Sequence, residues 1–290
     1  MRSPDFDLQS HSLASDGALP PAQVVALARE AGIRLLALTD HDTVDGVDEA
    51  LAAAAELGEI TVVPAAEIST LDGGYEDLHI CAYAIDHHDP GLTQALADWR
   101  ADRRARAGRM AQALREAGLE LELPHEDDAA KPTGRPHLAQ AVLAHAANAE
   151  RLQAEGLTDH SKVLEAYLIP GTPGYRRRTT PTVAQAIDVI HAAGGLAVWA
   201  HPFWDFDDPA LVLDTLHRFN ELGLDGVEAF YTTHTREQTL LLADEAKRVG
   251  LLSTGSADFH GPGHPRFSAF GDFELHGASP NLGRIDRPPA

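Results

Sequence analysis

Short apolar runs alternate along the chain with stretches of helical periodicity. Phe6-Asp7-Leu8 opens the series. From Pro21 to Ala31, Val24, Val25, Leu27 and Ala28 fall on one side of a helix. Leu35-Leu36-Ala37-Leu38-Thr39 reads as a second strand. Thr43 or Asp45 stands where it can cap the next helix, which ends near Gly58. Further strands are expected over 60–67, 78–84, 195–200, 226–230 and 251–255. These runs are solidly apolar rather than alternating, which marks strands buried on both faces. The pattern predicts an α/β fold: a parallel sheet of seven strands wrapped by helices, open or closed into a barrel. In that architecture the chemistry lies at the C-terminal ends of the strands.

Between about 90 and 180 the alternation stops, and helices without strands are expected. The first carries Arg100, Arg103, Arg104, Arg106, Arg109 and Arg115, read as a solvated face paired with acids. A proline- and acid-rich break follows over 124–136, then a helical stretch over 137–168. Gly171-Thr172-Pro173-Gly174 makes a turn. The expected organisation is a barrel from residues 1–89 and 181–274, a helical insertion over 90–180 above the barrel mouth, and an irregular tail over 275–290.

Composition narrows the function. At 290 residues and 44% hydrophobic, the chain can bury a large core. Its 44 acidic against 23 basic residues give a net charge of -21. Such a surface repels duplex nucleic acid. A small anionic substrate stays compatible where bound cations reverse the sign locally. The one cysteine, Cys81, lies in an apolar run and reads as a buried strand residue rather than a nucleophile. The residues after Met1 hold no apolar signal core, and no apolar run has membrane-spanning length. A cytoplasmic protein with no membrane partner is expected.

Sixteen histidines in an acidic chain invite a search for metal sites. Gln9, His11 and Asp16 follow the first strand; Asp40, His41 and Asp42 follow the second. Glu67 ends the third, His79 lies on the fourth, His201 follows the fifth, and Asp258 and His260 follow the seventh. Imidazoles and carboxylates gathered at one rim are the donor set of a multinuclear zinc, manganese or iron centre. Asp40 and Asp42 are expected to orient His41. Glu228 and His234 lie on the same rim as supporting groups. His87, His88, His125, His145, His160, His191, His217 and His276 read as non-catalytic.

Several segments resemble the polymerase-and-histidinol-phosphatase (PHP) family of metal-dependent phosphoesterases. They are Asp7-Leu8-Gln9-Ser10-His11-Ser12 with Ser15-Asp16-Gly17, Thr39-Asp40-His41-Asp42-Thr43, and Pro64-Ala65-Ala66-Glu67-Ile68-Ser69. His79, Ala200-His201-Pro202 and Ser256-Ala257-Asp258-Phe259-His260 complete them. The resemblance implies a distorted (β/α)7 TIM-like barrel with two or three divalent ions, drawn from manganese, zinc, iron or magnesium. His11, Glu67 and Asp258 would hold the first ion. Glu67, His79 and His201 would hold the second, and Asp16, His41 and His260 the third.

Gly134-Arg135-Pro136-His137 resembles a segment of the branch containing nucleoside 3′,5′-bisphosphate phosphatases and 5′–3′ exoribonucleases. That implies hydrolysis of nucleotide phosphate esters, or of the 5′ ends of short RNA, by water activated at the metals. Arg135 and His137 would contact phosphate and assist catalysis. Arg177 and Arg178 are further phosphate-binding candidates.

The family carries histidine where this chain has Gln9, and an amide oxygen is a weaker ligand than imidazole. Two alternatives follow: a phosphatase of a non-nucleotide substrate such as histidinol phosphate, or a catalytically impaired metal-binding module. A cyclic-amide hydrolase with a carboxylated lysine is disfavoured, because no lysine stands at a strand end.

Overall fold

The computed structural model describes residues 4–122 and 134–286. His125 and most of the expected proline-rich break lie outside the described residues. The chain divides into two compact units, one running to Ala97 and resuming at Pro181, the other spanning Asp98–Thr180.

The first unit is built on β1 (Phe6–Asp7), β2 (Leu35–Leu38), β3 (Thr61–Asp72), β4 (Tyr75–Tyr83), β5 (Leu196–Trp199), β6 (Gly226–Tyr231) and β7 (Leu252–Ser256). Its helices are α1 (Pro21–Glu30), α2 (Val47–Leu57) and the start of α3 (Pro90–Glu116). After the second unit come α7 (Val183–Ala192), α8 (Pro202–Asp205), α9 (Pro209–Glu221) and α10 (Arg236–Val249). The seven strands form one sheet in strict chain order. The Leu8 amide donates to the Gly255 carbonyl at 3.2 Å, and Ser10 bridges Phe259 in parallel. These contacts bring the two edges together in a nearly closed α/β barrel.

The sheet is mixed, which corrects the expectation of parallel strands throughout. β4 runs antiparallel to both β3 and β5. The cause is local: Asp72 pairs with Tyr75 across Gly73-Gly74, and Gly73 has φ 57. Two residues make a hairpin, whereas a parallel crossover takes about a dozen or more. β3 also continues past its expected end, because β4 accompanies it.

The helix starts follow local chemistry. Thr182 and Thr235 cap α7 and α10 through their hydroxyls, each answered by a glutamine three residues later. At α2 the cap position is Gly46, without a side-chain bond. Thr43 instead accepts the Asp45 amide at 3.1 Å, so neither Thr43 nor Asp45 caps that helix.

Leu36, Leu38, Val63, Ile68, Ile80, Val198, Trp199, Val227 and Phe230 are buried in this unit. Each such side chain contributes about 1.5–3 kcal/mol on leaving water. The Tyr83 hydroxyl donates to the Leu8 carbonyl at 2.8 Å. Cys81 is buried, as expected, and burial holds its thiol well above the ordinary range.

The second unit holds most of α3, then α4 (Arg135–Ala144), α5 (Ala149–Ala154) and α6 (His160–Tyr167). Met110, Leu114, Leu119, Leu138, Val142, Leu152 and Val163 form its core. Arg106 departs from the expected solvated face. It is buried, its Nε donates to the Arg176 carbonyl at 2.6 Å, and its guanidinium lies 5.8 Å from the Tyr175 ring centroid. Among the described residues no helix is long and apolar enough to cross a membrane.

Candidate metal centre

The strand pairings bring distant residues to one level. His41, just past β2, bridges Glu67 in parallel. Glu67 is therefore at the rim although it lies inside β3 rather than at its end. The Ala200 amide, just past β5, donates to the His79 carbonyl at 3.0 Å. His79 likewise meets the rim from the middle of β4, because the antiparallel strand passes through that level.

Glu67 is the hub. Its Oε1 lies 2.7 Å from His79 Nδ1 and 3.1 Å from His201 Nε2. Its Oε2 lies 3.2 Å from His11 Nε2 and 3.5 Å from His41 Nδ1. His11 Nε2 is also 3.0 Å from Asp258 Oδ1. Asp16 faces His11 Nδ1 at 3.6 Å, His41 Nε2 at 3.7 Å and His260 Nε2 at 3.6 Å. Ligand bonds of about 2.0–2.1 Å in a tetrahedron imply donor separations of roughly 3.3 Å. These spacings match that value.

Hydrogen bonding leaves several atoms of the cluster unused. Both ring nitrogens of His11, His41 Nδ1, Glu67 Oε2, His201 Nδ1 and Asp258 Oδ1 are buried without a hydrogen-bond partner among the described residues. Buried polar groups are normally satisfied, so a cluster of orphaned imidazole and carboxylate atoms fits the donor set of a cation site. Both amide atoms of Gln9 are orphaned too, while its backbone carbonyl accepts the Phe259 amide at 3.3 Å.

The electrostatics agree. Burial alone would raise the Glu67 pKa, but charge on His41 and His79, the close His11 imidazole and the hydrogen bond with His201 hold it well below the ordinary range. Asp258 is buried too, yet the His11 imidazole 3.0 Å away lowers its pKa. The carboxylates are kept ionised in a buried pocket, a setting that favours bound cations.

Neighbouring acids steady the loops that carry the ligands. Asp40 Oδ1 accepts the Ser12 amide at 2.7 Å and the Ser15 hydroxyl at 2.6 Å, fixing the turn before Asp16. Asp42 Oδ1 accepts the Ser69 amide at 2.8 Å. Asp40 and Asp42, on either side of His41, thus tie its segment to the loop after β1 and to β3. Glu228 accepts the His201 amide at 2.9 Å and the Ser256 hydroxyl, and burial pushes its pKa up to about 8. His234 is buried with Nδ1 3.1 Å from the Ala229 carbonyl. His201, Asp42 and Asp258 all have left-handed backbone, with φ 32, 54 and 56. That conformation costs a non-glycine residue on the order of 1–3 kcal/mol, and its concentration at one rim is typical of functional sites.

Sequence reasoning missed Tyr231. It ends β6, its hydroxyl donates to Asp258 Oδ2 at 2.8 Å, and it pairs with Ser256 across the sheet. A tyrosine closing an apolar strand reads as core, and its role emerges only from the β6–β7 register. His264 is also informative. Its Nδ1 accepts the Phe267 amide at 2.9 Å, which places its ring proton on Nε2, and the ring centroid lies 5.3 Å from that of His260.

The candidate phosphate contacts belong to the second unit. Arg135 opens α4, and His137 Nδ1 accepts the Gly134 amide at 3.1 Å as part of the cap. Arg177 is exposed. Arg178 is buried, and its Nε donates to the Thr180 carbonyl at 2.9 Å.

A seven-stranded α/β barrel with histidines and carboxylates converging at its rim defines a metal-dependent hydrolase. Known proteins agree with that class. The PHP domain family matches residues 7–90. A 5′-3′ exoribonuclease of Haemophilus influenzae is 34% identical over 257 residues, covering 89% of this chain and 90% of the relative. A 3′,5′-nucleoside bisphosphate phosphatase of Chromobacterium violaceum is 34% identical over 259 residues, covering 89% and 88%. The solved structure of an amidohydrolase from Chromobacterium violaceum, with bound sulfate and no metal, is 32% identical with a TM-score of 0.72, covering 93% and 91%. The chain belongs to the PHP-domain family and is a metal-dependent phosphoesterase.

Proposed function

We propose that the enzyme hydrolyses phosphate esters of nucleotides, either nucleoside bisphosphates or the 5′ ends of short RNA, in the cytoplasm. The observation that carries the reading is the two-sided Glu67 carboxylate. Oε1 faces His79 and His201, while Oε2 faces His11 and His41. A carboxylate so placed suits two neighbouring cations. His11 and Asp258 would complete the first set, with Gln9 two residues before His11. His79 and His201 would complete the second. Asp16, His41 and His260 offer a third. This imidazole-rich set suits zinc, manganese or iron better than magnesium.

When bound, divalent ions supply Lewis acidity at phosphoryl oxygens and acidify water toward neutral pH. The protein's own part is to hold the donors. Asp40 fixes the Asp16 loop, Glu228 fixes His201, and Tyr231 fixes Asp258. Ions outweigh the charge of Asp16, Glu67 and Asp258, so the centre attracts phosphate inside a chain of net charge -21. Arg135, His137 and Arg177 are proposed to contact that phosphate, on the strength of the motif around Gly134.

The substrate class is carried over from two relatives of different printed activity, an exoribonuclease and a bisphosphate phosphatase. The test is elemental analysis of purified protein with a panel of nucleoside 3′,5′-bisphosphates, 5′-phosphorylated oligoribonucleotides and histidinol phosphate. Turnover confined to the nucleotide arms is expected, with Glu67→Ala losing metal and activity while keeping its circular dichroism. Turnover of histidinol phosphate alone, or bound metal without turnover of any ester, overturns the assignment. Gln9, an amide where the family carries histidine, favours the second outcome as the competing reading, a metal-binding module impaired in catalysis.

A further inference from the structure

Outside the rim, Asp48, His87 and His88 come together in the barrel unit. Asp48 lies in the first turn of α2, and the two histidines lie between β4 and α3. His87 Nε2 is 2.9 Å and His88 Nε2 3.2 Å from the same oxygen, Asp48 Oδ1. The imidazole rings pack with centroids 4.1 Å apart at 38°. Each residue offers a donor atom within 4.8 Å of the other two. A hydrogen-bonded pair would need one imidazole; here two converge on one carboxylate oxygen.

We propose that Asp48, His87 and His88 form a separate binding site for a zinc-class divalent cation. Two imidazole nitrogens and one carboxylate oxygen match the ligands zinc prefers, at spacings close to the roughly 3.3 Å edge of its tetrahedron. Magnesium and calcium, which prefer an all-oxygen shell, are excluded as the preferred ligand. The receiving turn is already formed: the Asp89 amide donates to the Asp86 carbonyl at 3.0 Å, and the His88 amide to Asp86 Oδ1 at 3.0 Å. His87 is largely covered, with 12% of its side chain exposed, whereas Asp48 and His88 are open at 69% and 68%. A cation can therefore enter from solvent, and three protein ligands leave one coordination position open. The bound ion would pin the start of α2 to the β4–α3 connection. Its role is that of a surface clamp, independent of phosphate ester hydrolysis.

The test compares the full chain with His87→Ala/His88→Ala, each stripped of metal and dialysed against micromolar zinc. Wild type should retain about one more zinc per chain and show a larger zinc-dependent rise in thermal midpoint. Asp48→Asn should fall between them, with turnover of the metal-loaded enzyme unchanged in every variant. If the double variant fails to match wild-type circular dichroism, His88→Gln, which removes one exposed ligand, takes its place. Equal zinc content and equal thermal shifts in wild type and variant overturn the proposal.

Discussion

The Tyr231 hydroxyl donates to Asp258 Oδ2 at 2.8 Å, while Oδ1 of the same carboxylate lies 3.0 Å from His11 Nε2. One oxygen of Asp258 is thus held by the protein and the other is free for a cation. Second contacts of this kind fix ligand orientation, and losing one typically costs about 10–100-fold in metal affinity or activity. Tyr231→Phe keeps the ring and removes the bond. It should bind metal less tightly by that factor at an unchanged circular dichroism spectrum. Metal titration and initial rates at saturating and limiting metal separate the two effects. Wild-type affinity in the variant would show that Tyr231 is ordinary core.

Gln9 offers the opposite change. Its amide is buried with neither atom hydrogen-bonded among the described residues, two positions before His11. A buried amide left unpaired costs about 1–3 kcal/mol. Gln9→His replaces a weak ligand by a neutral imidazole, the better donor for zinc or manganese. Metal content after dialysis should rise, and the rate at limiting metal should rise with it. A variant unchanged in both would remove Gln9 from the account of the first ion.

Gly17 closes the turn that presents Asp16. A Cβ built there would stand 2.3 Å from the His11 carbonyl oxygen and 2.6 Å from the Ser12 nitrogen, both backbone atoms. The Gly17 amide meanwhile donates to the Ser12 carbonyl at 2.9 Å. Backbone cannot swing aside as a side chain can, so Gly17→Ala must displace the loop carrying His11 and Asp16. Thermal melts should show a loss of about 1–3 kcal/mol, of the size seen for overpacked sites. Activity should fall further than stability, because two proposed ligands move together. A variant that melts and turns over like wild type would show that the loop absorbs the methyl group.

Much of this was legible in the sequence, for a physical reason. Solid apolar runs and helical periodicity are local signals, and seven of them predicted the barrel. Ligands placed after β1, β2, β5 and β7 inherit their position from strand order, so His11, Asp16, His41, His201, Asp258 and His260 could be named together. Direction was not legible in the same way. The Gly73-Gly74 turn makes β4 run backwards, and this is why Glu67 and His79 reach the rim from inside their strands. Support from across the fold was hidden as well. Asp40 holds Ser12 and Ser15, and Tyr231 holds Asp258, through spacings of 25 to 28 residues that no periodicity reports. Arg106 was misread because its helix has no strong apolar stripe, and its buried contacts with Arg176 and Tyr175 come from far along the chain.

Glu245 provides a pH test away from the metal centre. It sits on α10, where Arg248 Nε donates to its Oε2 at 2.8 Å and Arg248 Nη2 and His217 of α9 contact its Oε1. The hydrogen bond from Arg248 and the contact with His217 lower its pKa to about 2, against an ordinary 4.5. The folded state therefore releases the proton more readily than the unfolded chain. Stability from this group is present above about pH 4.5 and is lost as pH falls toward 2. Arg248 is 63% exposed, so solvent screening limits the pair to a small shift of the melting temperature, at most a few degrees. Glu245→Gln should melt below wild type by that margin at pH 6, and the gap should close as pH falls from 4.5 toward 2. A gap that stays constant over that range would mean the carboxylate's charge contributes nothing, and that the α9–α10 contact rests on packing alone.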